Sequence, residues 1–86
     1  MTTGPRLTLY SKPGCHLCDD MKQVIEAVAS RVPLTLDVVD ISTDPELVER
    51  YGLEIPVLLI EGKKAAKYRL SERELEEKLR RRQGPA

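Results

Sequence analysis

The sequence predicts an α/β fold in which helices cover both faces of a four-stranded mixed sheet, in the order β-α-β-α-β-β-α. Two observations lead to this prediction. Segments in which apolar and polar residues alternate, as in half-buried strands, take turns with segments whose apolar residues recur at helical spacing. Strands joined through a helix run parallel and strands joined by a tight turn run antiparallel, so this order predicts a mixed sheet. The 86 residues suffice for a single domain, expected to span 1–86.

The first half of the chain supplies the two strands that are predicted to be parallel. Alternation predicts one strand over residues 6–10 and another over residues 34–40. Between them, apolar residues at helical spacing predict a helix that begins near Cys15 and ends near residues 30–31, before Pro33. The inward-facing residues of this helix are Leu17, Met21, Val24, Ile25 and Val28.

A second, short helix follows, and the pattern leaves its first residue open. Thr43 and Glu46 have the spacing of a capping box, whereas Asp44 precedes Pro45, a residue favoured in the first turn of a helix. Gly52 is well placed to end this helix. Its apolar residues are Leu47, Val48 and Tyr51.

The next segments predict a β-hairpin. Residues 55–60 are the most apolar part of the chain and predict a buried strand, with Pro56 confined to its first residues because proline cannot donate a backbone hydrogen bond. A turn at residues 61–62 returns the chain. Residues 63–69 then predict an edge strand because they are rich in Lys and Arg.

The last element is predicted to be a helix. Ser71 and Glu74 have capping-box spacing at its start, and Leu75 and Leu79 recur at helical spacing on its inward face. Residues 83–86 are expected to be a frayed tail.

The composition argues against several classes of function. The 14 basic residues balance the 14 acidic residues, so no overall field favours nucleic acid or an anionic membrane. Phe and Trp are absent, which removes the aromatic platforms on which single-stranded nucleic acids stack. The longest apolar run, 57–60, is too short to cross a bilayer, and the first residues lack a secretory signal. We therefore expect a cytoplasmic monomer without nucleic-acid or membrane partners.

The only two cysteines, Cys15 and Cys18, lie where the first strand gives way to the first helix. In a cytosolic chain, such a pair beside a strand–helix–strand unit is typical of thiol–disulfide exchange. At a helix N-terminus, unpaired N–H groups and the helix dipole lower a cysteine pKa from ~8.5 toward about 3.5–7.5. We therefore predict that Cys15 is the catalytic nucleophile and that Cys18, less exposed one turn later, resolves the mixed disulfide.

Charged and titratable neighbours bear on these roles. Lys12 can favour the Cys15 thiolate or bind a substrate carboxylate. His16 is either a group that tunes the thiol or an exposed residue of the first turn, and both interpretations stay open. Asp19 and Asp20 repel a thiolate and limit the fall of its pKa, which favours a reductant or a glutathione-linked exchanger over a strong oxidant.

Three features of the chain occur together in one known family. Lys12-x-x-Cys15-x-x-Cys18 follows the first strand, Ile55-Pro56 opens the third, and the elements have the order given above. From about residue 7 to residue 79, the chain thus resembles the short glutaredoxin-like proteins of the thioredoxin fold. The resemblance implies a thiol–disulfide oxidoreductase in which Cys15 attacks, Cys18 resolves and a cis Pro56 lies against the pair. It also implies that Lys12 and the backbone of Ile55, beside Pro56, bind the substrate.

Departures from the family pattern narrow what the resemblance implies. His16 and Leu17 stand where glutaredoxins carry Pro-Tyr, and Glu54-Ile55 stands where they carry Thr-Val, which makes Glu54 a second candidate for tuning the thiol. The Gly-Gly and acidic pair that hold part of glutathione are replaced around residues 67–71. The resemblance therefore leaves open whether glutathione is a co-substrate. We expect faster turnover with a thioredoxin-reductase-type electron donor than with glutathione. The substrate is expected to be a disulfide-bearing protein or small molecule, with no bound cofactor or metal.

Two alternatives use the same cysteines differently. Zinc or an iron–sulfur cluster normally needs four ligands, and Cys15, Cys18 and His16, the only histidine, fall short unless two chains combine. A non-catalytic partner-binding module would instead keep the fold and use the cysteines as small buried apolar residues.

Overall fold

The computed structural model of the protein describes residues 4–82, which contain four strands and three α-helices in the predicted order. Their bounds are β1 (Arg6–Ser11), α1 (His16–Ala29), β2 (Thr35–Asp40), α2 (Pro45–Tyr51), β3 (Val57–Ile60), β4 (Lys63–Lys67) and α3 (Glu72–Arg82). The predicted tail, 83–86, lies outside the described residues. Within those residues, no helix is both long and apolar enough to cross a membrane.

The strands form one mixed sheet in the order β2-β1-β3-β4. Leu9 in β1 faces Val38 in the parallel strand β2 and Leu58 in the antiparallel strand β3. The hairpin partner β4 pairs antiparallel with β3 and lies at the sheet edge, where exposed lysines discourage pairing with another chain. The predicted α/β class and mixed sheet are confirmed.

The helices cover both faces of this sheet. On one face, α1 and α3 pack against β1 and β3 and form the main cluster, whose buried members are Leu7, Leu9, Met21, Ile25, Val28, Leu58, Ile60, Leu70, Leu75 and Leu79. Alternation along β1 sends Tyr10 to the opposite face from Leu9. There its ring lies 4.8 Å, centroid to centroid, from the ring of Tyr51 in α2. The inward positions predicted for Leu75 and Leu79 are confirmed.

The helix starts follow the sequence patterns closely. The Asp44 carboxylate accepts hydrogen bonds from the N–H groups of Glu46 and Leu47, so Asp44 caps α2 and the open choice is resolved. At α3, the Ser71 hydroxyl accepts the N–H of Glu74 at 3.1 Å, and the Glu74 carboxylate accepts the N–H of Ser71 at 3.0 Å. This reciprocal pair is the predicted capping box.

Gly52 ends α2 as predicted, but it does so in the right-handed conformation, with φ −55°. Its N–H donates to the carbonyl of Val48 at 2.8 Å. A side-chain carbon at position 52 would collide with that same carbonyl. Glycine is therefore needed here for close backbone approach and not for a left-handed turn.

Two strand boundaries predicted from the sequence were wrong by two residues each, and the end of β1 and the start of β2 each differ from the prediction by one residue. The third strand begins at Val57 and not at Ile55, because Pro56 has no N–H with which to extend the ladder. The fourth strand ends at Lys67 and not at residue 69, because Tyr68 leaves the extended conformation with φ 67°. The chain also makes a 3-10 turn at Ile41–Thr43, which the sequence pattern did not indicate.

Candidate active site

A turn after β1 delivers the cysteine pair to the start of α1. Residues 12–14 connect the strand to Cys15, and Gly14 has φ 78°, a left-handed conformation that glycine adopts at little cost. Because β1 is a central strand and α1 packs into the main cluster, both ends of this connection are held by buried structure.

Cys15 occupies the N-cap position of α1, where the sequence placed it. Its backbone is extended, with φ −95° and ψ 107°, and its sulfur accepts a hydrogen bond from the N–H of Cys18 at 3.2 Å. The sulfur therefore lies at the positive end of the helix dipole, beside N–H groups that have no helical partner. Environments of this kind favour the thiolate form of a cysteine, and the role of Cys15 as the nucleophile stays a prediction.

The two cysteines are joined by a disulfide but differ in exposure. Their Cα atoms are 5.2 Å apart. The Cys18 side chain is buried, whereas Cys15 is only half-buried. This difference leaves Cys15 as the sulfur that an incoming group can reach. We call the group around them the cysteine cluster: buried Cys18, Ile41 and Ile55, with half-buried Tyr10, Cys15, Leu47 and Tyr51.

The segment before β3 lies against the cysteine pair. The Ile55–Pro56 peptide bond is cis, as the resemblance implied, and Pro56 is fully buried. Ile55 belongs to the same cluster as Cys18. The structure therefore brings Ile55, the residue before the cis proline, into one cluster with Cys15 and Cys18, which lie some 40 residues earlier in the sequence.

Lys12 lies on the side of Cys18 that faces β2. The two residues line a shallow pocket of about 250 Å³, together with Asp19 and Asp40 among others. The carboxylate of Asp40 accepts hydrogen bonds from the hydroxyl and the N–H of Ser42, which hold its pKa below the ordinary value. Lys12 thus lines the same surface depression as Cys18, and its role in substrate binding stays a prediction.

The two candidate tuning residues occupy different environments. His16 is the first residue of α1 and is exposed next to Cys15. The Glu54 carboxylate accepts a hydrogen bond from Lys64 Nζ at 2.8 Å, and this ion pair lowers the pKa of Glu54 and raises that of Lys64. Glu54 is therefore paired with a residue of β4. The effects of Glu54 and His16 on the thiol stay predictions.

Tyr68 is a residue of this region that sequence reasoning missed. Its N–H donates to the carbonyl of Pro56 at 2.9 Å, and its hydroxyl donates to the carbonyl of Leu53 at 3.2 Å. The sequence carried no signal for it, because the pattern extended β4 through this position.

Tyr68 also lines a groove of about 310 Å³ between α1 and the β4–α3 connection. The groove is lined by Leu17, Asp20, Met21, Val24, Tyr68, Arg69, Leu70, Ser71 and Glu74.

The arrangement supports two-electron chemistry at sulfur. A disulfide at a helix N-terminus can accept two electrons, and the resulting dithiol can return them, with no other group required. Within residues 4–82, no group of three or more His, Cys, Asp or Glu side chains is placed where it could hold a metal ion.

Comparison with known proteins gives consistent matches. The sequence profile described as Glutaredoxin-like domain (DUF836) matches residues 6–80. The solution structure of protein Ne2328 from Nitrosomonas europaea is similar, with a TM-score of 0.77 and 25% identity over 91% of this chain and 94% of that chain. The X-ray structure of protein XcR50 from X. campestris has a TM-score of 0.71 and 30% identity, over 92% of this chain and 99% of that one.

A more distant match concerns the fold alone. A mutant thioredoxin from Halobacterium salinarum is 18% identical and has a TM-score of 0.69, over 98% of this chain and 79% of that chain. The thioredoxin-like fold predicted from the sequence is therefore confirmed by a structure that shares little sequence.

Proposed function

This chain belongs to the glutaredoxin-like domain (DUF836) family, and from that premise we propose that it is a thiol–disulfide oxidoreductase acting through Cys15 and Cys18. The observation that carries the proposal is the position of the Cys15 sulfur. It caps α1 by accepting the N–H of Cys18, and it is covalently joined to a buried partner while itself remaining accessible. A cysteine with only a packing role would need neither feature.

The reaction begins with the reduced protein. The Cys15 thiolate attacks one sulfur of a substrate disulfide, the substrate S–S bond breaks, and the second substrate sulfur leaves as a thiolate that takes up a proton. Cys18 then loses its proton and attacks the Cys15 sulfur in the mixed disulfide. The substrate leaves as a dithiol, and the protein keeps the Cys15–Cys18 disulfide. Two electrons have passed from protein to substrate.

Different parts of the fold support these two steps. The N-terminus of α1 stabilises the Cys15 thiolate that attacks in the first step. Burial keeps Cys18 from competing for the substrate, yet its place one turn along the helix holds it close to Cys15. We assign substrate binding to Lys12, which lines a depression with Cys18, to Ile55, which packs in the cysteine cluster, and to Pro56, the next residue along the chain.

A thiol reductant must return the disulfide to the dithiol, and we propose a thioredoxin-reductase-type donor in preference to glutathione. The proposal is supported by the β4–α3 connection, because the Gly-Gly and acidic pair of glutaredoxins are replaced around residues 67–71 of this chain. The Tyr68 ring occupies space beside the groove that glycine would leave open. We place the cycle in the cytoplasm, where thiols are kept reduced.

The test compares single-cysteine variants in the reduction of a peptide disulfide, with dithiothreitol as the reductant. Cys15→Ser should lose catalysed reduction completely. Reduced Cys18→Ser, freed of dithiothreitol before the peptide is added, should complete the first step and stop at the mixed disulfide, visible by mass spectrometry as the peptide attached to Cys15. Undiminished reduction by Cys15→Ser would refute the assignment of the nucleophile.

Two further measurements separate this function from its alternatives. Stoichiometric zinc or iron in freshly purified, reduced protein would favour a metal site shared between two chains. Slow and equal alkylation of the two cysteines at pH 7 would favour a non-catalytic module. Efficient glutathione-dependent reduction of a small disulfide would leave the function intact and overturn only the preferred donor.

A further inference from the structure

Tyr68 has a backbone conformation that its side chain disfavours. Its φ of 67° lies in the left-handed region, where a bulky side chain is an outlier. Backbone strain of this kind persists only where surrounding structure over-determines it, and it is concentrated at functional sites. The position comes directly after β4, so the strain turns the chain away from the sheet edge.

Two hydrogen bonds hold Tyr68 in this conformation, and both go to the same loop. The backbone N–H binds the carbonyl of Pro56, at one end of the 53–56 loop. The hydroxyl binds the carbonyl of Leu53, at the other end. Tyr68 therefore spans the loop that carries Ile55, the proposed partner of the substrate backbone.

The 53–56 loop has little else to hold its first half. The Leu53 side chain is 93% exposed, so apolar packing does not fix it. Glu54 is tied by its N–H to the carbonyl of Tyr51 and by its carboxylate to Lys64. The Lys64 pair is exposed and contributes little. The hydrogen bond from the Tyr68 hydroxyl is thus one of a small number of polar contacts that hold this loop in position.

The same side chain also borders the groove between α1 and the β4–α3 connection. Tyr68 is 43% exposed and lines this groove together with Leu17, the residue between His16 and Cys18. Lys67 Nζ lies 5.4 Å from the centroid of its ring, at cation–π distance. Tyr68 therefore binds the 53–56 loop through its hydrogen bonds and also lines the groove at α1.

We propose that Tyr68 is a positioning residue that clamps the 53–56 loop and thereby determines how tightly the substrate backbone is held at Ile55. This inference rests on the proposed function. Tyr68 does not act on the sulfurs, so its removal should weaken substrate binding and leave the reactivity of Cys15 unchanged. A residue with a merely structural role would affect stability without separating these two quantities.

The first test is Tyr68→Phe, which removes the hydroxyl and keeps the ring. We expect KM for a peptide disulfide to rise about threefold to tenfold with kcat nearly unchanged, the effect of losing one hydrogen bond that favours binding. We expect the rate of Cys15 alkylation by iodoacetamide to stay at the wild-type value. Amide hydrogen exchange in the peptide covering residues 53–56 should become faster.

Ser30→Ala is the matched control. Its hydroxyl also donates to a backbone carbonyl, that of Ala27 at 2.6 Å, but at the far end of α1. This variant should lose a comparable local contact with no change in KM. Tyr68→Gly serves as a second variant, because glycine adopts the left-handed conformation freely. We expect it to remain folded and to raise KM further than Tyr68→Phe does.

Two results would overturn the inference. One is an unchanged KM together with unchanged exchange of residues 53–56 in Tyr68→Phe. The other is a slower Cys15 alkylation that accounts for the whole loss of activity. If wild-type protein does not reduce the peptide at all, the proposed function fails, while the exchange measurement still tests whether Tyr68 holds the loop.

Discussion

The main cluster and the cysteine cluster differ in depth, although α1 contributes to both. Ten buried apolar residues of the described chain form the main cluster between α1, α3 and the sheet. The cysteine cluster has three buried residues, and half-buried side chains complete it. Helix α1 thus contributes Met21, Ile25 and Val28 to the large main cluster and Cys18 to the small cysteine cluster.

Because of this difference, the main cluster mainly stabilises the fold, whereas the cysteine cluster mainly positions the two sulfurs. Apolar burial stabilises a fold roughly in proportion to area, so the main cluster holds most of the folding free energy. The thin cluster places Cys18 under cover and leaves Cys15 within reach of the surface. A deeper core at this point would have buried both sulfurs and closed the site.

The largest expected effect on stability comes from the main cluster. Leu75→Ala truncates a fully buried side chain, and we expect the free energy of unfolding to fall by about 2–5 kcal/mol. Urea denaturation measures the loss. Leu53→Ala is the matched control, since Leu53 is 93% exposed and its truncation should cost less than about 0.5 kcal/mol. Because the main cluster is not expected to affect the thiol, the Cys15 alkylation rate in folded Leu75→Ala should equal that of the wild type. A changed rate would contradict the difference drawn between the two clusters.

A truncation in the cysteine cluster should have a smaller effect on stability and a larger one on thiol reactivity. Ile41→Ala opens space beside Cys18, and we expect a loss near the lower end of the range, about 2 kcal/mol, because half-buried neighbours can collapse into the space. In the reduced protein, Cys18 should be alkylated faster than in the wild type. If Cys18 remains as unreactive as before, its protection does not come from this cluster.

The capping box of α3 should contribute less than either cluster. Ser71→Ala removes the hydroxyl that accepts the N–H of Glu74, and we expect a loss of about 1 kcal/mol. Thermal unfolding followed by circular dichroism measures it. Since the cap supports only the main cluster, peptide disulfide reduction should be unaffected, and a parallel loss of activity would show that the two regions are coupled.

The smallest expected effect is a dependence of stability on pH. Hydrogen bonds from the N–H and hydroxyl of Ser71 lower the pKa of Glu74 in the folded protein, and Lys64 does the same for Glu54. The unfolded chain therefore binds these protons more readily, so the stabilisation is present above the ordinary Glu pKa and is lost as pH falls through the lower, folded value. We expect the urea midpoint to fall on acidification from pH 7 to pH 3.

A variant without the titrating group tests the assignment. Glu74→Gln should reduce the fall in the urea midpoint between pH 7 and pH 3, because its amide does not titrate. Glu49→Gln, at an exposed position of α2, is the control and should leave that fall unchanged. Identical pH profiles for wild type and Glu74→Gln would show that this cap does not contribute to the pH dependence.

The parts of the fold that local patterns predicted are those in which neighbouring residues decide the structure. The Ser71 capping box, the N-cap position of Cys15 and the inward face of α3 all depend on residues within one turn of each other. The parallel pairing of the first two strands followed from the helix between them.

The parts that were missed depend on contacts between distant residues. Tyr68 leaves the strand because it bonds to the 53–56 loop, and the Glu54 carboxylate pairs with Lys64 in β4. Neither contact has a local signature in the sequence, since alternation alone extends β4 past Tyr68 and Lys64 lies ten residues after Glu54.

The reactivity of Cys15 tests the central claim most directly. The rate of its alkylation is measured as a function of pH in reduced wild-type protein and in Cys18→Ser. We predict a thiolate pKa well below ~8.5 in both proteins, with Cys15 reacting faster than Cys18 in the wild type below pH 7. A pKa near ~8.5, with slow and equal reaction of both cysteines, would contradict the assignment of Cys15 as an activated nucleophile.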